Sequence, residues 1–284
     1  MATTEALAFV TAAVVFGVAA RLMHRHVVKD TSPYAYSWLT QIIAMLLFLP
    51  FALSNLAIPQ TKTAWLVLIV AAIVWVLVDL SALTAYKWTE VSLKEPISQS
   101  KLIWALLFGL IFLGETITLQ RAMGTIIIFL GTSLLLYHPE RKFGRLSESG
   151  VRWTLLTALL SAIVAIIDKF ALNWFVPEVY GFLVYLGPAI ILTAFIPTKI
   201  KQVKHLIKNK WRSVFIAIFF STATYFFTIQ AYAKADVTFV YPLLQMGVLL
   251  TVLSGIFFMK EREHFWQKII AATMIVIGAI IIGI

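Results

Sequence analysis

Apolar residues along this chain arrive in blocks of about 20, separated by short polar connections. The blocks cover 3–21, 34–56, 64–86, 92–113, 118–137, 151–172, 178–197, 212–233, 237–259 and 265–284. A helix of that length crosses a hydrocarbon core of about 30 Å, so the pattern predicts ten transmembrane helices. The two longer connections, 138–150 and 198–211, are basic and polar, and no stretch is left over for a soluble domain. The first block lacks the basic leader and small-residue cleavage site of a signal peptide, so it is read as a mature helix.

Composition supports the same class. Hydrophobic residues make up 61% of the 284 and charged residues 13%, and mean hydropathy is +0.92; a soluble domain of this length would need far more charge to cover its surface. Cysteine is absent, which excludes a disulfide framework, thiolate catalysis and cysteine-based metal sites. The net charge of +10 is topogenic in this reading, because no basic stripe interleaves with aromatics on a soluble face as nucleic-acid binding would require. Connections after odd-numbered spans carry 18 Lys and Arg, those after even-numbered spans 4, and Lys101 lies inside span 4. The positive-inside rule then places odd-numbered connections in the cytoplasm and both termini outside, for a multi-pass protein of the cell membrane.

The chain also repeats. Shifted by 146 residues, 85–115 falls on 231–261 with nine identities in 31 positions: Ala85/Ala231, Tyr86/Tyr232, Val91/Val237, Pro96/Pro242, Gln99/Gln245, Leu107/Leu253, Gly109/Gly255, Phe112/Phe258 and Glu115/Glu261. Apolar composition alone would align Leu with Leu, not Tyr, Pro, Gln, Gly and Glu in one register. A repeat of five spans must enter the membrane from the opposite side the second time. The charges agree: three basic residues between spans 1 and 2 face one between 6 and 7, and one between 2 and 3 faces six between 7 and 8. The predicted fold is therefore all-α, a 5+5 inverted-topology repeat with halves 1–145 and 146–284. This is a common secondary-transporter architecture.

With these motifs the sequence resembles the EamA-type ten-helix exporters of the drug/metabolite transporter superfamily over essentially its whole length. The segments that carry the resemblance are Glu95-Pro96-Ile97, Leu113-Gly114-Glu115-Thr116, Gly124 and Gly131 in the first copy. In the second they are Tyr241-Pro242-Leu243, Lys260-Glu261-Arg262 and Gly278. The resemblance implies export or exchange of small metabolites, amino acids or drugs through a central cavity, without ATP. Many superfamily members are drawn with cytoplasmic termini, opposite to the charge count here. Substrate does not transfer across so diverse a family.

Ionisable groups inside a span cost about 2.5–3.5 kcal/mol each and mark candidate function. Asp79 in span 3 and Lys101 in span 4 lie equally far from the turn near Glu90, about 16 Å away in a continuous helical hairpin, where they can pair. Two readings stand: a structural ion pair, or a polar element for which substrate or a coupling proton competes. Their repeat partners, Tyr225 and Gly247, break the symmetry. Gln99 and Gln245, just past Pro96 and Pro242, are equivalent amides that either bind a polar ligand or bond between helices. Trp38, Trp75, Trp104, Tyr225 and Tyr241 are candidate walls for an apolar substrate, against the alternative of lipid packing or an interfacial belt. Glu115 and Glu261, just before spans 5 and 10, read as helix caps, and His24 and His26 as solvated residues of a basic connection.

Substrate binding is thus assigned to Asp79, Lys101, Gln99, Gln245, Tyr225, Tyr241 and Trp104, in a site between spans 3, 4, 8 and 9. The partners are a small-molecule substrate and the lipid bilayer, with a coupling proton or counter-substrate; no cofactor, metal or catalytic residue is expected. The rival classes are a channel and a membrane-embedded enzyme acting on a lipid-soluble substrate. Against an enzyme, H-E-x-x-H and the G-x-x-x-x-G-K-[ST] phosphate loop are both missing, and Asp79 stands nearly alone as an intramembrane carboxylate.

Overall fold

The computed structural model describes residues 2–28, 33–88, 97–137, 149–250 and 265–283. The α-helices among them are α1 (Ala2–Val28), α2 (Pro33–Ser54), α3 (Lys62–Trp88), α4 (Lys101–Phe112), α5 (Leu119–Leu136), α6 (Ser149–Ala171), α7 (Pro177–Thr193), α8 (Ile200–Lys234), α9 (Val237–Leu243) and α10 (Phe265–Gly283). A 3₁₀ turn covers Ile196–Lys199, and after a turn at 244–245 the chain is helical again over 246–250. Seven of these helices are long and apolar enough to cross a membrane, and three shorter apolar ones cover 101–112, 177–193 and 237–250. Much of their outer surface is apolar, as along α3, where Leu66, Ile69 and Ile73 are exposed. Helices satisfy their own backbone groups, so such faces suit lipid.

Helix ends depart from the predicted spans where apolarity is not what decides them. α1 runs on to Val28, so the stretch holding His24 and His26, expected in a connection, is helical. The basic stretch 198–211 is helical too. In α8 Val203 and Leu206, three residues apart, are buried against Ala35, Tyr36, Leu39 and Ile196, while Lys201, Lys204 and Lys208 face outward. This amphipathic arm meets the apolar part of α8 at Lys210, whose φ of −132° and ψ of 18° break the helical geometry.

The chain forms two compact units, one of residues 1–76 and 167–234, the other of 77–166 and 235–284, and each draws on both predicted halves. In the first unit α1 packs along α8, and α2 packs on α7 and α8. Small residues permit this closeness: a Cβ on Gly181 of α7 would strike the ring of Phe48, and one on Gly187 would lie 2.5 Å from Ala72 Cβ.

In the second unit α5 packs along α10. A Cβ on Gly124 would stand 2.7 Å from the carbonyl oxygen of Gly278, and a Cβ on Gly278 2.7 Å from that of Gly124. Backbone meets backbone here, the small-residue contact that lets helices associate in lipid. Gly124→Val should therefore cost about 1–3 kcal/mol through overpacking, seen as a lower midpoint in thermal unfolding of the detergent-extracted protein.

Candidate functional site

The second unit contains a pair of interrupted helices. Pro242 has no N–H to give to the helix of α9. Three residues on, the chain tightens into three-residue hydrogen bonds: Gln245 N–H to Pro242 O (3.0 Å), Gly247 N–H to Leu244 O (3.2 Å) and Val248 N–H to Gln245 O (2.9 Å). The first repeat does the same at the equivalent place. Ser100 N–H donates to Ile97 O (3.1 Å) and Leu102 N–H to Gln99 O (2.9 Å) before α4 sets in at Lys101. Pro96 lies outside the described residues. Both breaks therefore fall on the repeat-related glutamines.

The glutamine side chains at the breaks are buried. Gln99 is 1% exposed and Gln245 4%, yet among the described residues neither Oε1 accepts a hydrogen bond, nor does the buried Ser100 Oγ take part in one. Most buried polar atoms are paired, and an orphaned one costs about 1–3 kcal/mol. Here two such costs fall at repeat-related positions.

Capping sets the register of the two helices. Gly114, with φ of +64°, turns the chain after α4 so that Glu115 N–H returns to Gly109 O (3.1 Å). The Glu115 carboxylate then accepts from Val237 N–H (2.7 Å) and Thr238 N–H (2.9 Å), the first donors of α9. Glu115 is thus a cap, but of α9 and not of the span that follows it. The start of α5 uses Thr118, whose Oγ1 accepts from Arg121 N–H (3.2 Å). Arg121 in turn donates to Asp236 Oδ2 (2.6 Å) and Thr116 O (3.3 Å). Glu261 lies outside the described residues.

α9 begins where α4 ends and packs along it, so the two run antiparallel. They touch at Gly109, where a Cβ would lie 2.6 Å from Thr238 Cγ2.

Of the other sequence-predicted residues, Lys101 opens α4 and thus sits at a helix start, not within an unbroken span. Asp79 lies half-buried on α3 in the same unit, Tyr241 is half-buried beside Pro242, and Trp104 sits on the more exposed face of α4. The turn around Glu90 lies outside the described residues. Tyr225 belongs to the first unit, and Trp38 spends its indole N–H on Thr193 Oγ1 (2.9 Å) between α2 and α7.

Sequence reasoning missed a second carboxyl. Asp168, within predicted span 151–172, is 2% exposed on α6 in the first unit. Tyr180 Oη donates to its Oδ1 (2.7 Å) and Tyr225 Oη to its Oδ2 (3.1 Å). The neighbouring Lys169 points elsewhere, donating to Tyr232 O (2.6 Å). The signal was its position four residues inside a predicted span, which meets the same criterion that singled out Asp79.

An uncharacterized transporter of Archaeoglobus fulgidus is 24% identical over 263 residues, covering 92% of this chain and 91% of that one. One crystal structure matches with a TM-score of 0.80 over 98% of this chain and 96% of its own; at 15% identity this shows a shared fold. The sequence model of the EamA-like transporter family matches twice, at residues 3–137 and 148–284. The chain belongs to the EamA-like transporter family and is a multi-pass membrane transporter.

Proposed function

We propose that this chain is a secondary active transporter, an exporter or exchanger of small metabolites, amino acids or drugs that works by alternating access. Ten spans in two inverted five-helix repeats, 1–145 and 146–284, would let near-equivalent halves exchange conformations at little energetic cost. The substrate site is the pair of broken helices, with Gln99 and Gln245 as the amides that hold its polar groups. Lys101, Tyr241 and Trp104 border it, and Asp79 lies in the same unit. The chain sits in the cell membrane with odd-numbered connections cytoplasmic and both termini outside, as the 18-to-4 charge bias indicates.

One observation supports this reading: repeat-related helices from the two halves break at the same residue, and the two amide oxygens there are buried without a hydrogen-bond partner among the described residues. Discontinuous helices at a repeat interface are how transporters present polar groups to a substrate within the bilayer. A thermal-shift screen of purified protein against amino acids, nucleotides, sugars and cationic drugs should yield stabilising compounds. The best of these should show saturable counterflow in vesicles holding the protein. Unsaturable ionic current would refute a carrier in favour of a channel, and chemical turnover without net transport would refute it in favour of an enzyme.

A further inference from the structure

The first unit holds a group for which the substrate site has no use. Asp168 sits in the membrane-spanning part of α6, 2% exposed, with a tyrosine hydroxyl on each carboxyl oxygen. A charge at such depth needs a counter-charge or another means of losing its cost. Among the described residues no Lys, Arg or His side chain supplies one. The groups facing it are Tyr180 from α7 and Tyr225 from α8, with Tyr185 of α7 stacked edge-on against Tyr225 at 5.4 Å. Trp75 of α3 meets the same ring at 5.7 Å, and Phe48 of α2 at 6.4 Å. On its own helix Lys169 is held by the Tyr232 carbonyl, and the nearby Glu178 of α7 is held by Gln230 Nε2 at 2.6 Å.

We infer that Asp168 is a proton-binding site that couples proton movement to transport, its Tyr180–Asp168–Tyr225 triad holding the carboxyl in both states. In the ionised state both hydroxyls donate to the carboxylate. When a proton arrives on one oxygen, the other oxygen keeps its tyrosine donor, and the new O–H has the tyrosine oxygen beside it as an acceptor. Tyrosine oxygen both donates and accepts, so neither state strands the carboxyl. A group so completely covered accepts a proton without the space an organic or hydrated metal cation needs. The step is COO⁻ + H⁺ → COOH, reversed when the cycle exposes the site to the other side. An intramembrane carboxyl in a proton relay is a recurring device of pumps and transporters.

The coupling rests on the proposed transport cycle, the proton site does not, and the test needs no substrate. Infrared difference spectra of the purified full-length protein in lipid, taken as pH is stepped from alkaline to acid, should show a protonated-carboxyl carbonyl band outside the range of solvated acids. That band should be absent in Asp168→Asn. In Tyr225→Phe, which removes one hydrogen bond to the carboxyl, it should move to higher frequency. If Asp168→Asn does not extract as folded protein, Asp168→Glu replaces it and should move the band. An identical band in wild type and variants, or a carboxylate that never takes up a proton, overturns the inference. Failed counterflow in protein that shows the band would count against the transporter reading and leave the proton site standing.

Discussion

Glu115→Ala is expected to be the most destabilising single substitution in this chain. The Glu115 side chain is 7% exposed, Val237 is fully buried and Thr238 is 1% exposed, so water does not replace the carboxylate at the start of α9. Removing it strands two buried N–H donors at about 1–3 kcal/mol each. It also removes a negative charge from the helix end that favours one. A loss of about 2–6 kcal/mol follows, against ordinary cap losses of about 0.5–2 kcal/mol. Glu115→Gln keeps one acceptor oxygen and should lose about half as much. Urea or thermal unfolding of detergent-extracted protein, followed by tryptophan fluorescence, measures both. Equal stability of wild type and Glu115→Ala would mean that α9 does not depend on this cap.

Gln99→Leu and Gln245→Leu should do the opposite. Each replaces an amide whose buried oxygen has no partner among the described residues with an apolar side chain of similar volume, so each should stabilise the protein by about 1–3 kcal/mol. Each should also abolish transport of a polar substrate. More stable and inactive is the signature of a group retained for function at the expense of the fold. A core amide in a structural hydrogen bond would behave in the reverse way, its loss destabilising the protein. Because the amides are repeat-related, the two single variants should have similar effects, and the double variant should be the most thermostable of the set.

How much of this was legible beforehand depended on the kind of signal. Lengths of apolar runs located α2, α3, α5, α6 and α10 to within about two residues, because crossing the bilayer imposes a length on each. They misjudged 198–211, where Val203 and Leu206 supply an apolar face too narrow to stand out among five lysines. The 146-residue register exposed Gln99 and Gln245, since paired identities survive where single residues say little. The breaks at those glutamines were not legible. A proline predicts a disturbed helix, but whether it kinks, unwinds or re-forms three residues later depends on how neighbours satisfy the freed groups. For the same reason Glu115 was seen as a cap and assigned to the adjacent span: sequence gives the neighbour along the chain, and the Gly114 turn sends the side chain to a helix 122 residues away. Asp168 needed Tyr180 and Tyr225, 12 and 57 residues off, before its burial made sense.

A substrate site at the two amides, as opposed to packing, has a direct consequence for transport. The most direct measurement is counterflow of a screened ligand into vesicles by wild type and Gln99→Leu protein, with thermal unfolding recorded on the same preparations. Saturable counterflow is expected from wild type and none from the variant, whose unfolding midpoint should lie at or above that of wild type. Undiminished counterflow by a folded Gln99→Leu protein would contradict it.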